Sequence, residues 1–195
     1  MPKHVSKRVD RATAEEAVRT LIKWAGDDPS REGLLETPAR VVRAYEEFFA
    51  GYAQYPRDVL AKTFEEVAGY NEIVLLRNMN FESHCEHHIV PIIGRAHIAY
   101  IPQKRVVGIS KIARVLDIFA KRMQTQETMT SQIGQAIEDA LQPKGVSVII
   151  SASHQCMTTR GVHKPDVDTV TTFHSGQFTE DANTRQELLR MIGTI

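Results

Sequence analysis

Residues 96–102 read AHIAYIP, a short run rich in apolar and aromatic residues that a proline ends. This composition predicts a β-strand, and proline ends it because proline has no N–H to donate to a neighbouring strand. The sequence has four such runs in all. Two stretches with helical periodicity lie between the second run and the third. The predicted strands are 72–77, 96–101, 145–153 and 167–174, and the predicted helices between them are 110–123 and 128–141.

The order of these elements is β-β-α-α-β-β. It indicates an α+β protein with an antiparallel sheet and helices on one face. Two further helices are predicted near the N-terminus, where Thr13 and Glu16 fit a capping box and Thr37-Pro38 is a second helix start. We therefore expect an N-terminal helical segment over 1–70 and a β-β-α-α-β-β domain over 71–195.

Composition limits the class of protein. The chain has 195 residues, of which 42% are hydrophobic and 25% are charged, and its formal net charge is +0. These values are ordinary for a globular protein, and they supply no general attraction to nucleic acid or to a membrane surface. The sequence shows neither a signal peptide nor an apolar stretch of the ~18 residues that a transmembrane helix needs, so we expect a cytoplasmic protein.

The densest group of metal-binding side chains is Ser83-His-Cys-Glu-His-His88, just ahead of an apolar run. Cys85 and His88 are three residues apart, a spacing that lets a thiolate and an imidazole reach one ion from a tight turn. Cys156 is the only other cysteine in the sequence and would supply a third ligand from a distant strand. Thiolates with imidazole favour zinc, and three protein ligands leave one position for an activated water.

A second interpretation is that both cysteines are small core residues and that the histidines only end a strand. Against it stands His154-Gln-Cys156, which again places a histidine beside a cysteine at the end of a predicted strand. Two familiar zinc motifs do not fit the chain. His84-Cys-Glu86 has the first half of the nucleobase deaminase signature without its P-C-x-x-C half, and H-E-x-x-H does not occur.

An anion site is predicted in the stretch VGISKIAR, residues 107–114. Ser110 is the expected N-cap of a helix whose first turn carries Lys111, with Arg114 one turn later on the same side. Free N–H groups at a helix start, together with these cations, hold phosphate oxygens, and Arg160 is a further cation for the same anion. The pattern is equally typical of a capped amphipathic helix with solvated cations.

Gln126 and Glu127 precede the second central helix. An acidic residue at this place interacts favourably with the helix dipole, which is a sufficient structural reason for it. The functional alternative is a buried carboxylate that accepts two N–H bonds from the edge of a guanine base. The residues by themselves leave both interpretations open.

Taken together, these residues resemble the GTP cyclohydrolase I family. The order and spacing of the matching blocks cover most of the chain. The resemblance implies the T-fold (tunnelling fold) and a decamer made of two stacked pentamers. The blocks are Arg31-Glu-Gly-Leu34 with Thr37-Pro38, Ser83-His-Cys-Glu-His-His88, Gly108-Ile-Ser-Lys-Ile-Ala-Arg114, Gln124-Thr-Gln-Glu127 and Ser153-His-Gln-Cys-Met-Thr-Thr-Arg-Gly161.

The resemblance also implies a reaction, the conversion of GTP and water to 7,8-dihydroneopterin triphosphate and formate at the start of pteridine biosynthesis. Water activated by zinc attacks guanine C8, the ring opens, the ribose rearranges in an Amadori-type step, and a new ring closes. The implied zinc ligands are Cys85, His88 and Cys156. His154 is expected to protonate or hydrogen-bond guanine N7, and His87 to transfer protons near the ribose.

Substrate contacts follow from the same resemblance. Glu127 with Gln126 is expected to bind the guanine edge, and the ribose and triphosphate are expected to contact Ser110, Lys111, Arg114 and Arg160. Two other functions fit parts of the sequence: a non-catalytic, zinc-stabilised oligomer that binds nucleotides, and a T-fold enzyme that acts on another purine or pterin. Only an enzyme explains the histidines beside the ligands and the missing fourth protein ligand.

Overall fold

The computed structural model describes residues 8–64 and 69–193, so most of the N-terminal arm lies outside the described residues. Helix α1 (Arg11–Trp24) begins after Asp10, whose carboxylate accepts a hydrogen bond from the Thr13 backbone N–H. The N-cap expected at Thr13 is therefore wrong by three positions. Aspartate ranks above threonine as an N-cap, and here it takes that place one turn earlier.

Helix α2 (Thr37–Phe48) starts where the Thr37-Pro38 pair predicts it, with the proline in its first turn. Proline fits this place because the N–H that it lacks has no partner within a helix at that position. Helices α1 and α2 contact each other, and Arg11 Nη1 lies 3.7 Å from the Glu46 carboxylate. The two predicted N-terminal helices are thus confirmed.

A five-stranded sheet in the order β5-β2-β3-β6-β7 forms the centre of the remaining chain. The pairs β2–β3, β3–β6 and β6–β7 are antiparallel, and the short β5 runs parallel to the end of β2. A separate small sheet pairs β1 with β4. The strands are β1 (Thr63–Phe64), β2 (Val74–Cys85), β3 (Pro91–Ile101), β4 (Val106–Val107), β5 (Met123–Gln124), β6 (Gly145–His154) and β7 (Thr169–His174).

Helices cover both faces of this sheet. They are α3 (Pro56–Leu60), α4 (Ile109–Ala120), α5 (Gln126–Leu141), α6 (Gln155–Thr158), α7 (Gln177–Glu180) and α8 (Ala182–Ile192), and no described helix is long and apolar enough to cross a membrane. Val148 and Ile150 of β6 pack with α4 and α5, whereas Ile149 packs with Leu188 of α8 on the opposite face. The order β-β-α-α-β-β is confirmed. The sequence predicts helices on one face of the sheet, and α8 covers an apolar stripe on the other face as well.

The residues separate into two compact units, one ending at Phe49 and the other beginning at Ala50. The second unit includes α3, which packs on α4 and α5. The Arg122 guanidinium also donates to the carbonyl oxygens of Gly51 and Gln54 at 2.9 and 3.0 Å, so this segment is bonded to the sheet unit. The domain boundary that the sequence places at residue 70 stays a prediction.

Gly134 lets α5 lie close to β7. It is buried in the middle of the helix, and a Cβ atom at this position would overlap the Phe173 ring. We expect Gly134→Val to lower the free energy of unfolding by about 1–3 kcal/mol, the usual cost of overpacking a core. Denaturant unfolding followed by circular dichroism measures this, with Ser131→Val on the exposed side of α5 as the matched control. Equal stability of the two variants would contradict the close packing.

Candidate functional site

The turn between β2 and β3 holds the first two candidate ligands. β2 ends at Cys85, which is 3% exposed. Ile89 N–H donates to the Cys85 carbonyl, and Cys85 N–H donates to the Val90 carbonyl, both at 2.9 Å. Ile89 has a φ of 54°, a left-handed conformation that is strained for a β-branched residue. This tight turn brings His88 back towards the end of β2.

The third candidate ligand reaches the same place through the pairing of the strands. Ile92 of β3 lies opposite His154 of β6, and α6 follows at once and carries Cys156. One ligand atom each from Cys85, His88 and Cys156 lies within 4.8 Å of the others. Among residues 8–64 and 69–193, no other histidines, cysteines or acidic residues form such a group. The structure therefore brings the three predicted metal ligands together.

A cation flanks this group of ligands. Arg160 Nη1 lies 3.1 Å from His88 Nε2, and the ring nitrogen accepts because a guanidinium has only donors. Burial, and then the neighbouring Cys85 thiol, raise the pKa of Cys156, while the charge of Arg160 opposes them. The thiolate form of Cys156 is therefore disfavoured unless a bound cation stabilises it.

His154 is bonded to the start of α5. Its Nε2 lies 2.8 Å from Gln126 Oε1. Gln126 is 1% exposed, and its Nε2 donates to the carbonyl oxygens of Ile150 and Thr169 at 3.1 and 2.8 Å. Burial lowers the pKa of His154, while the negative charge of Glu127 opposes the shift. The structure thus brings His154 and Gln126 together at the end of β6.

His87 lies on the open side of the ligand turn. Its side chain is 68% exposed, and its Nε2 lies 3.9 Å from the Glu86 carboxylate. It sits beside the candidate ligand His88, and its proton-transfer role stays a prediction. His84 differs, because it is 7% exposed and burial lowers its pKa. We therefore assign His84 to the packing of the strand end.

The predicted anion site on α4 differs from expectation in its cap. Gly108 is the N-cap of α4 and no side chain caps the helix, so Ser110 lies inside the first turn. The expectation that Ser110 caps this helix is therefore wrong. Ser110 and Arg114 are exposed, whereas Lys111 Nζ donates to the Val59 carbonyl at 3.0 Å. The N–H groups of an uncapped first turn are well suited to an anion.

Two threonines complete the surroundings of Gln126, and sequence reasoning did not single them out. Thr171 Oγ1 lies 3.1 Å from Gln126 Nε2 and 2.7 Å from Thr130 Oγ1. Thr130 Oγ1 donates to the Gln126 backbone carbonyl at 2.7 Å. The i,i+4 spacing of Gln126 and Thr130, and the threonine-rich run at 169–172, are the signals that could have identified them.

The sequence is similar to one protein family over nearly its whole length. Residues 14–193 match the family model of GTP cyclohydrolase I. GTP cyclohydrolase 1 of Maricaulis maris (strain MCS10) is 58% identical over 188 residues, covering 96% of this chain and 92% of that protein. GTP cyclohydrolase 1 of Hyphomonas neptunium (strain ATCC 15444) is 60% identical over 187 residues, covering 96% and 91%. That of Brucella abortus (strain S19) is 55% identical over 190 residues, covering 97% and 89%.

Two solved structures are similar to part of the chain. The archaeosine synthase QueF-Like in its apo form gives a TM-score of 0.45 at 19% identity, over 54% of this chain and 94% of that one. A dihydroneopterin aldolase from Burkholderia thailendensis gives a TM-score of 0.38 at 13% identity, over 54% and 91%. Matches this weak carry no argument, so the sequence comparison decides the family.

Proposed function

Because the chain belongs to the GTP cyclohydrolase I family, we propose that it hydrolyses GTP at a zinc site formed by Cys85, His88 and Cys156. The products of this reaction are 7,8-dihydroneopterin triphosphate and formate. One observation carries the proposal: two thiols and an imidazole converge at one end of the sheet, and His154 precedes one of the thiols by two residues.

The donor set suits zinc. Thiolate and imidazole ligands select zinc over the harder cations that prefer oxygen. The two sulfurs lie close together, and a divalent cation would offset the repulsion between neighbouring thiolates. Zinc held by Cys85, His88 and Cys156 would have one position free for a water molecule and would lower the pKa of that water towards ~7.

Two histidines are proposed to move protons in this site. His154 protonates or hydrogen-bonds guanine N7, which makes C8 a better electrophile. Its bond to Gln126 holds the imidazole at the end of β6. His87 is exposed beside His88 and is proposed to transfer protons near the ribose. Ring opening, release of formate, the Amadori-type rearrangement and ring closure all need such transfers.

Glu127 is the proposed acceptor for the guanine edge. It lies in the first turn of α5 with an exposed side chain, and its charge opposes the lowering of the His154 pKa. An ionised carboxylate has two acceptor oxygens and matches two N–H groups of guanine. Gln126 is also expected at this edge from the family resemblance, but its side-chain amide is bonded within the protein.

The ribose and triphosphate are proposed to lie at the first turn of α4. Ser110 and Arg114 are exposed there, and the backbone N–H groups add donors. Lys111 would exchange its bond to the Val59 carbonyl for a phosphate oxygen, and Arg160 would exchange its contact with His88. These exchanges are favourable because hydrogen bonds between ionised groups are stronger than neutral ones.

We further propose that the protein acts as a homo-oligomer, with the decamer of stacked pentamers as the form that the family implies. The outer edge of β7 has no partner strand among the described residues, and Val170 on that strand is 52% exposed. An open sheet edge is a template for pairing with another chain. Pairing between copies at this edge would extend the sheet from one subunit to the next.

The proposed compartment is the cytoplasm. Cys85 and Cys156 are free thiols, and both must stay reduced to act as zinc ligands. A reducing compartment keeps them so without further protection, whereas an oxidising one would favour a bond between two thiols this close.

Incubation of the zinc-loaded protein with GTP tests the function. We expect formate and a pterin chromophore to appear in equal amounts, since each GTP releases one carbon as formate. Binding of GTP without turnover would favour the non-catalytic nucleotide-binding oligomer. Turnover of another purine or of a pterin, with GTP left intact, would favour a different enzyme of the same fold.

A further inference from the structure

The side chain of Gln126 has a single reasonable orientation. One end of its amide faces the backbone carbonyl oxygens of Ile150 and Thr169. Carbonyl oxygens only accept hydrogen bonds, so the group that faces them must be the NH₂ of the amide. The amide oxygen therefore faces His154, at a distance of 2.8 Å from Nε2.

The neighbouring threonines support the same orientation. Thr130 uses its hydroxyl hydrogen to donate to the Gln126 backbone carbonyl, so it must accept from Thr171. Thr171 thereby uses its own hydroxyl hydrogen and can only accept from the Gln126 NH₂ group. The donor and the acceptor of each hydrogen bond in this network are therefore determined. Rotating the Gln126 amide by 180° would break its bonds to Ile150, Thr169 and Thr171.

This orientation determines which nitrogen of His154 carries a hydrogen. The Gln126 oxygen is only an acceptor, so His154 Nε2 must be the donor of the bond between them. In a neutral imidazole one ring nitrogen carries the hydrogen and the other has a lone pair, and the bond made by one of them selects the tautomer. The lone pair of neutral His154 is therefore on Nδ1.

We propose that Gln126 is a positioning residue that holds neutral His154 as the Nε2–H tautomer, so that Nδ1 has the lone pair that takes up a proton and, as imidazolium, donates it to guanine N7. This inference rests on the proposed role of His154 in proton transfer. It assigns Gln126 a function different from base recognition, because the amide hydrogens and the amide oxygen already have partners inside the protein.

The tautomer can be measured directly in the zinc-loaded enzyme. Labelling with ¹⁵N-histidine distinguishes a protonated from an unprotonated ring nitrogen, and the His154→Gln variant assigns the signals. We expect the neutral form of wild-type His154 to show a hydrogen on Nε2 and none on Nδ1. A neutral His154 with its hydrogen on Nδ1 and none on Nε2 would overturn the proposal, and this result needs no Gln126 variant.

Replacing Gln126 tests the positioning role. In Gln126→Met the acceptor for Nε2–H is lost, so we expect a mixture of both tautomers and a kcat about 10–100-fold lower, the usual range for residues that orient a functional histidine. The KM for GTP should change by less than about threefold. An interaction that forms only in the transition state affects kcat and leaves substrate binding unchanged.

Gln124→Met is the matched control. Gln124 is 4% exposed and its Nε2 donates to the Phe119 carbonyl and to Gln132 Oε1, at 2.9 and 3.0 Å. The control removes a buried amide of the same size nearby without touching His154. We expect it to keep the single tautomer of His154 and to lower kcat much less than Gln126→Met does.

Two kinetic or spectroscopic results would overturn the proposal. A large rise in KM with unchanged kcat in Gln126→Met would make Gln126 a base-binding residue, and an unchanged tautomer in that variant would show that another group selects it. If the wild-type enzyme releases no formate from GTP, the proposed function fails, whereas the ¹⁵N spectrum still decides whether Gln126 sets the tautomer.

Discussion

Replacing Cys156 with serine is expected to lower formate release by about 10³-fold or more. A serine hydroxyl is a poor ligand for zinc at neutral pH, so the variant retains only Cys85 and His88 of the three donors. Loss of the ion removes the activation of water, which is worth several kcal/mol, and each 1.36 kcal/mol is tenfold in rate. Zinc content and formate release, measured on the same preparation, check this result.

Met157→Leu is the matched control for this substitution. It changes the next residue of α6 but removes no proposed ligand, so zinc content and activity should stay near those of the wild-type protein. Circular dichroism of both variants shows whether the fold persists. Full zinc content with full activity in Cys156→Ser would refute the three-ligand site.

Replacing His154 with alanine is expected to lower formate release by about 10²–10⁴-fold while zinc stays bound. General acid–base catalysis by a positioned side chain contributes this much, and His154 is the proposed partner of guanine N7. It is not one of the three residues whose ligand atoms converge, so its loss should leave the zinc content unchanged. Parallel assays of zinc and formate separate the two effects.

A second histidine variant controls for nonspecific effects on the protein. His163 is exposed in the chain after α6 and has a φ of 50°, a conformation that asparagine tolerates. His163→Asn should therefore retain nearly full activity. If His154→Ala retains as much activity as His163→Asn, the proton-transfer role of His154 is wrong.

Local periodicity carried most of the fold prediction. The strands around 96–101 and 145–153 and the two helices between them follow from patterns within single segments, and the structure confirms their order. The position of α8 on the second face of the sheet was not predicted. It depends on Ile149 and its neighbours, which form an apolar stripe only after three strands have paired.

The candidate site was predictable to a similar extent. Cys85 and His88 are close in sequence, so their spacing was sufficient to suggest a shared ion. Cys156 was predicted as the third ligand because it is the only other cysteine, and the family resemblance implied the same ligand. Its approach to the other two depends on the register of β3 and β6, which no local pattern reveals. The bond between Gln126 and His154 could not be predicted, because it needs the pairing of β6 with β7 and the start of α5 at Gln126 itself.

If the proposed site holds zinc, the strained turn at Ile89 links the metal supply of a cell to the lifetime of this protein. A non-glycine residue in the left-handed region costs about 1–3 kcal/mol, and surrounding interactions must offset this cost. An ion held by Cys85 and His88, which both precede Ile89, and by Cys156 would provide such an offset only while it is bound. Without it, only the two backbone hydrogen bonds of the turn would oppose local opening, and degradation follows the population of open chains. Subunits made when zinc is scarce would therefore be removed faster than loaded ones.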